Sequence, residues 1–278
     1  FPNTNTDLTE WEKTTSSDTT NWPEITICIV GKYVELRDSY MSVIEAINHS
    51  AMFHKLVVKI KWISAEDIER EDTDIIDLFG DVNGFIVPGG FDSRGIEGMI
   101  ITAKYARENK IPYLGLCLGM QIMVIEFTRN VLGIKDANSI EMAEDTNDPV
   151  ISFMEGQEDL KSTGGTMRLG SYDCKLRTGT IARKAYGIEL VSERHRHRYE
   201  LNNIYRERLE VTGLVSSGTS PDDSLVEIVE VKEHPFMLGS QFHPEFGSRP
   251  ERPHPLFSEF IRVSNNTVLE GEQRILFD

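Results

Sequence analysis

Apolar residues fall along this chain in two alternating patterns. Short unbroken runs, Ile25 to Val30, Leu56 to Ile63, Gly84 to Val87 and Ile111 to Leu116, read as strands buried on both faces. Between them, Ser39 to Phe53, Ile75 to Phe79, Ile96 to Asn109 and Met120 to Phe127 carry apolar positions at helical spacing. Strands alternating with helices predict an α/β fold with a mostly parallel central sheet flanked by helices, whose sites lie at the carboxyl ends of strands. Further on, Asp145 to Gly164 is acidic and glycine-containing and reads as a long loop. Met167 to Ala185 and Leu225 to Phe242 read as a smaller β-rich part, hairpins feeding back to the sheet. Residues 1–22 are rich in Thr, Ser, Asn and Asp and predict a linker or disordered lead-in. The folded domain is expected over 23–262, with 263–278 as a tail that has lost the pattern.

One junction between the two patterns carries candidate chemistry. In Gly115-Leu116-Cys117-Leu118-Gly119-Met120-Gln121 a cysteine stands where a strand becomes a helix. An isolated cysteine is usually a small core hydrophobe. Glycines on both sides of a strand-to-helix switch reverse that preference, because they permit a turn sharp enough to lift the sulfur clear of the sheet. The helix N-terminus behind it favours a thiolate. Cys117 is therefore a candidate nucleophile.

A cysteine nucleophile needs a base. Ser240-Gln241-Phe242-His243-Pro244-Glu245-Phe246 offers His243 to move the proton and Glu245 to hold the imidazole, on one face if the segment is extended. Pro88-Gly89-Gly90-Phe91, at the end of a strand, is a good turn whatever its purpose. It also exposes backbone N–H groups of Gly89 and Gly90, which together with that of Leu118 suit an oxyanion hole.

These motifs together resemble the triad, or class I, glutamine amidotransferases. The strings Gly31-Lys32-Tyr33-Val34-Glu35-Leu36, Ala137-Asn138-Ser139-Ile140-Glu141, Gly165-Thr166-Met167-Arg168-Leu169-Gly170 and Glu193-Arg194-His195-Arg196-His197-Arg198-Tyr199-Glu200 narrow the likeness to the glutaminase domains of the CTP synthases, from about Ile25 to about Phe260. The resemblance implies L-glutamine as substrate. It places Gly90, Leu118, Gly119, Met120, Gln121, Glu141 and Arg198 around it, Glu141 at the α-amino end and Arg198 on the carboxylate side. It further implies ammonia delivery to an N-terminal ammonia-ligase domain that uses ATP and Mg to aminate UTP, GTP as allosteric activator, and a homo-oligomer in the full-length protein. One position departs from the family pattern: the turn commonly reads Pro-Gly-Gly-Phe-Gly, and here Asp92 follows Phe91.

Composition narrows the alternatives. Against 29 basic residues stand 45 acidic ones, a net charge of −16, which opposes a nucleic-acid surface. Three cysteines are too few for a disulfide scaffold, and no apolar stretch approaches a membrane span, so a soluble, cytoplasmic chain is expected. His195 and His197 sit among arginines without nearby Cys or Asp, and no metal is assigned to them. No Gly-x-x-x-x-Gly-Lys-[Ser/Thr] string occurs, so no P-loop holds ATP, and no cofactor is expected in this chain. Competing readings are the glutaminase of another amidotransferase, a γ-glutamyl hydrolase of the same fold, and a regulatory or assembly module.

Overall fold

A computed structural model describes residues 7–9, 19–153, 167–270 and 273–276, and in it the predicted strands and helices of the first half form nearly in place. They are β1 (Glu24–Gly31), α1 (Met41–Phe53), β2 (Val57–Ser64), β3 (Gly84–Val87), α2 (Ile96–Glu108), β4 (Tyr113–Leu116) and α3 (Leu118–Asn130). Then come β5 (Asn138–Ser139), β6 (Pro149–Phe153), β7 (Arg168–Leu176), β8 (Leu190–His197), β9 (Tyr199–Leu201) and α4 (Asn203–Thr212). The chain closes with β10 (Leu214–Thr219), β11 (Val226–Val231), β12 (Met237–Ser240), α5 (Pro255–Asn265), β13 (Thr267–Glu270) and β14 (Gln273–Leu276).

One nine-stranded sheet runs β2-β1-β3-β4-β12-β11-β10-β7-β8. From β2 to β12 the neighbours are parallel; from β12 to β8 they are antiparallel. The β-rich second half does feed back to the sheet, but it makes the whole mixed rather than mostly parallel. The connections between β10, β11 and β12 are too short for crossovers, so these strands meet as hairpins.

β1 explains the unbroken apolar runs. Ile25, Ile27 and Ile29 enter one core with Val43 and Ile47 of α1 and Phe257 and Phe260 of α5. Cys28 and Val30 enter the other, with Met99 and Ile100 of α2 and Met123 and Phe127 of α3. Alternate residues of a strand face opposite sides, and here both sides are dry.

Three expectations need correction. The stretch expected as a loop contains β6, whose Ile151 pairs with Leu201 of β9; residues 154–164 of that stretch lie outside the described residues. Ile181–Tyr186, expected as β-rich, is a short helix, because the Thr180 side chain caps it and Gly187 ends it at φ 72°. The expected tail at 263 begins inside α5, started by Pro255 and capped by the His254 side chain, and the β13–β14 pair follows. Of the expected lead-in, 1–6 and 10–18 lie outside the described residues. Among the described residues, no helix is long and apolar enough to cross a membrane.

The buried His234, between β11 and β12, ties the sheet to α2. One ring nitrogen contacts the Ala106 carbonyl at 3.2 Å and the other accepts from Phe236 N–H at 3.2 Å, which requires the neutral imidazole. Burial pushes its pKa down to about 4, against the bond to Ala106. The unfolded chain then takes up this proton first, so the stability involved is complete above about pH 6.5 and is lost as pH falls toward 4. Urea unfolding of the wild type is expected to lose about 2 kcal/mol more than that of His234→Asn between pH 7 and pH 5. Equal losses would show that His234 titrates alike in both states.

Candidate active site

Cys117 stands at the tip of β4 with φ 53° and ψ −99°, a conformation that side chains rarely adopt. The surrounding glycines impose it by letting α3 press onto the sheet. A Cβ on Gly119 would lie 2.0 Å from the Val87 carbonyl oxygen, and one on Gly115 would lie 2.5 Å from the Gly119 carbonyl. Tyr113 Oη donates to the Gly119 carbonyl at 2.9 Å, and Cys117 N–H to the Ser240 carbonyl at 2.7 Å. The elbow is thus bolted to strands on both sides. Because α3 starts at Leu118, the Leu118 N–H belongs to the first helical turn, whose donors have no acceptor within the helix.

The adjacent strand delivers the base. β12 pairs with β4 in parallel, and three residues past its end His243 donates its backbone N–H to the Arg194 carbonyl at 2.8 Å. Glu245 Oε1 lies 2.8 Å from His243 Nδ1. The expected reason for this pairing was extended chain; instead Pro244–Gly247 is a 3-10 turn, which folds the carboxylate back onto the ring. With Nδ1 engaged, the other ring nitrogen is the one left to interact with Cys117. Burial alone lowers the His243 pKa, but its interactions with Cys117 and Glu245 outweigh it and push the pKa up to about 10. The imidazole therefore carries its proton at neutral pH.

β3 brings the glycine turn to the same edge. A Cβ on Gly89 would come within 3.0 Å of the His243 ring and 3.6 Å of Cys117 Cβ, so glycine leaves room for both. Beyond it a cavity of about 120 Å³ reaches from Cys117 to Glu141 and Arg198, with Gly90, Leu118 and Gln121 along its wall. Burial raises the Glu141 pKa, against the opposing pull of Lys32 and Arg198. Of the other residues expected at the substrate, Gly119 and Met120 turn their side-chain positions to the sheet, where a Cβ on Gly239 would lie 2.8 Å from Met120. A second, wider cavity of about 480 Å³ opens on the other flank of Cys117 and His243, toward Tyr33, Ser39 and Met41.

Several residues at the site were missed from sequence. Gln241 Nε2 lies 3.7 Å from the Cys117 sulfur, and Gln121 Nε2 contacts Gln241 Oε1 at 3.4 Å and the Tyr199 carbonyl at 3.2 Å. Arg196 lines both cavities. Gln241, two residues before His243, could have been found by its place in the same string. Asp92 has φ 70°, which accounts for a glycine at that position in the family pattern, and its carboxylate accepts from Arg94 N–H at 2.8 Å. His195 and His197 lie behind the site, 2.9 Å apart between ring nitrogens, beside Arg168 and Glu227. Burial pushes their pKa values down to about 2 and about 3.

Residues 35–263 match the family described as Glutamine amidotransferase class-I. The chain is 55% identical over 261 residues to a CTP synthase of Carboxydothermus hydrogenoformans, covering 94% of this chain and 48% of that protein. A CTP synthase of Roseiflexus castenholzii is 56% identical over 254 residues, 91% of this chain and 45% of that protein. The chain thus spans about half the length of the curated relatives it matches. Among solved structures, the glutaminase domain of Trypanosoma brucei CTPS with bound acivicin superposes with a TM-score of 0.82 at 35% identity, covering 90% of this chain and 98% of that one. The glycine-braced cysteine elbow, the histidine–carboxylate pair just past the next strand and these matches lead to one assignment: the chain belongs to the class-I glutamine amidotransferases, among the glutaminase domains of the CTP synthases.

Proposed function

We propose that this chain hydrolyses glutamine to glutamate and ammonia at Cys117, as the glutaminase half of an enzyme that aminates UTP to CTP. The observation that carries the reading is the cavity that joins Cys117 to Glu141 and Arg198. A free amino acid presents an ammonium and a carboxylate, and these two side chains answer one each, Arg198 with a planar fork suited to carboxylate.

The chemistry follows from the geometry. The Cys117 sulfur attacks the side-chain amide carbon, and the oxyanion meets the N–H groups of the Gly89–Gly90 turn and of Leu118. His243 gives its proton to the leaving nitrogen, so that ammonia departs and a γ-glutamyl thioester remains. His243 then takes a proton from the water that attacks the thioester, and glutamate leaves with the thiol restored. Glu245 orients the imidazole and stabilises its charged form.

Ammonia would pass to an ammonia-ligase half, supported by curated relatives of about twice the matched length that are named CTP synthase. ATP and Mg would act in that half, and GTP would activate the glutaminase. Since the Trypanosoma brucei domain was solved with acivicin bound, the same compound offers the test. Incubation with acivicin or diazo-oxo-norleucine is expected to add one adduct mass, on a Cys117 peptide, and excess glutamine should slow it. Cys28 and Cys174 are buried, and burial pushes both thiols up, so they should stay unlabelled. Adducts on either of them with Cys117 free would refute the assignment.

A further inference from the structure

Lys32 follows β1 in the Gly31-Lys32-Tyr33 string and takes no part in the proposed chemistry, yet its side chain is completely enclosed. A lysine is almost never buried unless its charge is answered. Here the ammonium donates to the Phe91 carbonyl at 2.9 Å and to the Asp92 carbonyl, and it reaches the Asp92 carboxylate at 3.4 Å. Three donors meet three oxygens, all in the segment that continues the Gly89–Gly90 turn.

The geometry of one peptide unit gives this clamp its consequence. The Phe91 carbonyl and the Asp92 N–H belong to the same planar peptide and point in opposite directions. Lys32 holds that carbonyl at 2.9 Å, which fixes the orientation of the Asp92 N–H with it. That peptide is thus fixed through its carbonyl, and the next one through the Asp92 carbonyl. The glycine peptides just before it have no side chains to resist a flip. Gly90 also lies against the lysine stem: a Cβ there would be 3.7 Å from Lys32 Cδ and 3.2 Å from Leu118 Cδ2.

We propose that Lys32 is a positioning residue of the glutaminase site, which pins the Phe91 and Asp92 carbonyls and so fixes the peptides of Gly89 and Gly90 with their N–H groups toward Cys117. The inference rests on the glutaminase reading and deepens it. The left-handed Asp92 strengthens the clamp in this chain, because its carboxylate faces the same ammonium.

The test uses Lys32→Met in the full chain, with its fold checked by circular dichroism. Saturated glutamine turnover, and the limiting rate of diazo-oxo-norleucine labelling at Cys117, should each fall about tenfold to a hundredfold, the effect of a displaced oxyanion donor. Alkylation of Cys117 by iodoacetamide, which needs the Cys117–His243 pair but no oxyanion hole, should stay within about twofold of wild type. Lys32→Gln, which keeps a donor, should recover part of the loss. Unchanged turnover, a rise in KM alone, or an equal fall in iodoacetamide alkylation would each overturn the positioning role. A wild-type chain that takes no adduct at Cys117 overturns the glutaminase reading as well, whereas wild type and Lys32→Met labelled equally fast overturn only the role of Lys32. Should Lys32→Met and Lys32→Gln not fold, the wild type decides in lysine-¹⁵N-labelled protein. Its enclosed ammonium should give a slowly exchanging NMR signal that shifts when diazo-oxo-norleucine occupies Cys117, and a signal that does not move overturns the proposal.

Discussion

Cys117→Ala is expected to lower glutamine hydrolysis by about four to six orders of magnitude, to the background of binding without a nucleophile. The sulfur cannot be replaced by a neighbour. Cys28 and Cys174 are buried within the two cores, on β1 and β7. His243→Ala should come close to the same loss, since members of a triad act as one unit and their effects do not add. Glu245→Gln should lose less. It keeps a group 2.8 Å from Nδ1 but removes the charge that helps to hold the imidazole pKa near 10. The pKa then falls toward its ordinary value, and the proton on His243 is lost at lower pH. Turnover of this variant should therefore decline on raising pH at a point where wild type is still level. Glutaminase rates across pH 6 to 10, roughly the span between the ordinary and the raised value, are the measurement. A Glu245→Gln enzyme slower than His243→Ala would contradict the assigned roles.

The largest loss of stability should come from Gly119→Ala. Its added methyl carbon would lie 2.0 Å from the Val87 carbonyl oxygen and 2.9 Å from the carbonyl carbon. Both are backbone atoms of a central strand, which cannot rotate away as a side chain can. α3 must lift off the sheet, and buried side chains along it lose contacts in a close-packed core. A destabilisation of about 3 kcal/mol or more is expected, at the upper end for overpacking. Gly187→Ala makes the comparison. Gly187 has φ 72° but nothing within 4 Å of its added carbon, so only the left-handed backbone penalty of about 1–2 kcal/mol applies. Denaturant unfolding of the two variants separates the causes. Equal losses would mean that the close approach of α3 to β3 is not what requires glycine at 119. Because Cys117 precedes that helix, Gly119→Ala should also slow diazo-oxo-norleucine labelling under conditions where the protein remains folded.

The sequence by itself determined the elements whose signal is local and repeated. β1, β3, β4 and the helices between them were legible because strands buried on both faces read as unbroken apolar runs, and because helices facing a sheet repeat at their own period. Cys117 was legible for a related reason: a glycine-flanked cysteine at a change of period is unusual in itself. His243 and Glu245 could be named, but the 3-10 turn that brings the carboxylate back to the ring was not visible in their spacing. Only the tertiary structure decided the antiparallel half of the sheet, the strand β6 and the helix Ile181–Tyr186, since short segments take their conformation from partners and caps more than from their own pattern. The same holds for the clamp at the oxyanion turn. Lys32 and the carbonyls it holds are separated by 59 and 60 positions along the chain. Nothing in a lysine's local sequence states which oxygens will surround it, because that depends on β1 and β3 lying side by side in the sheet.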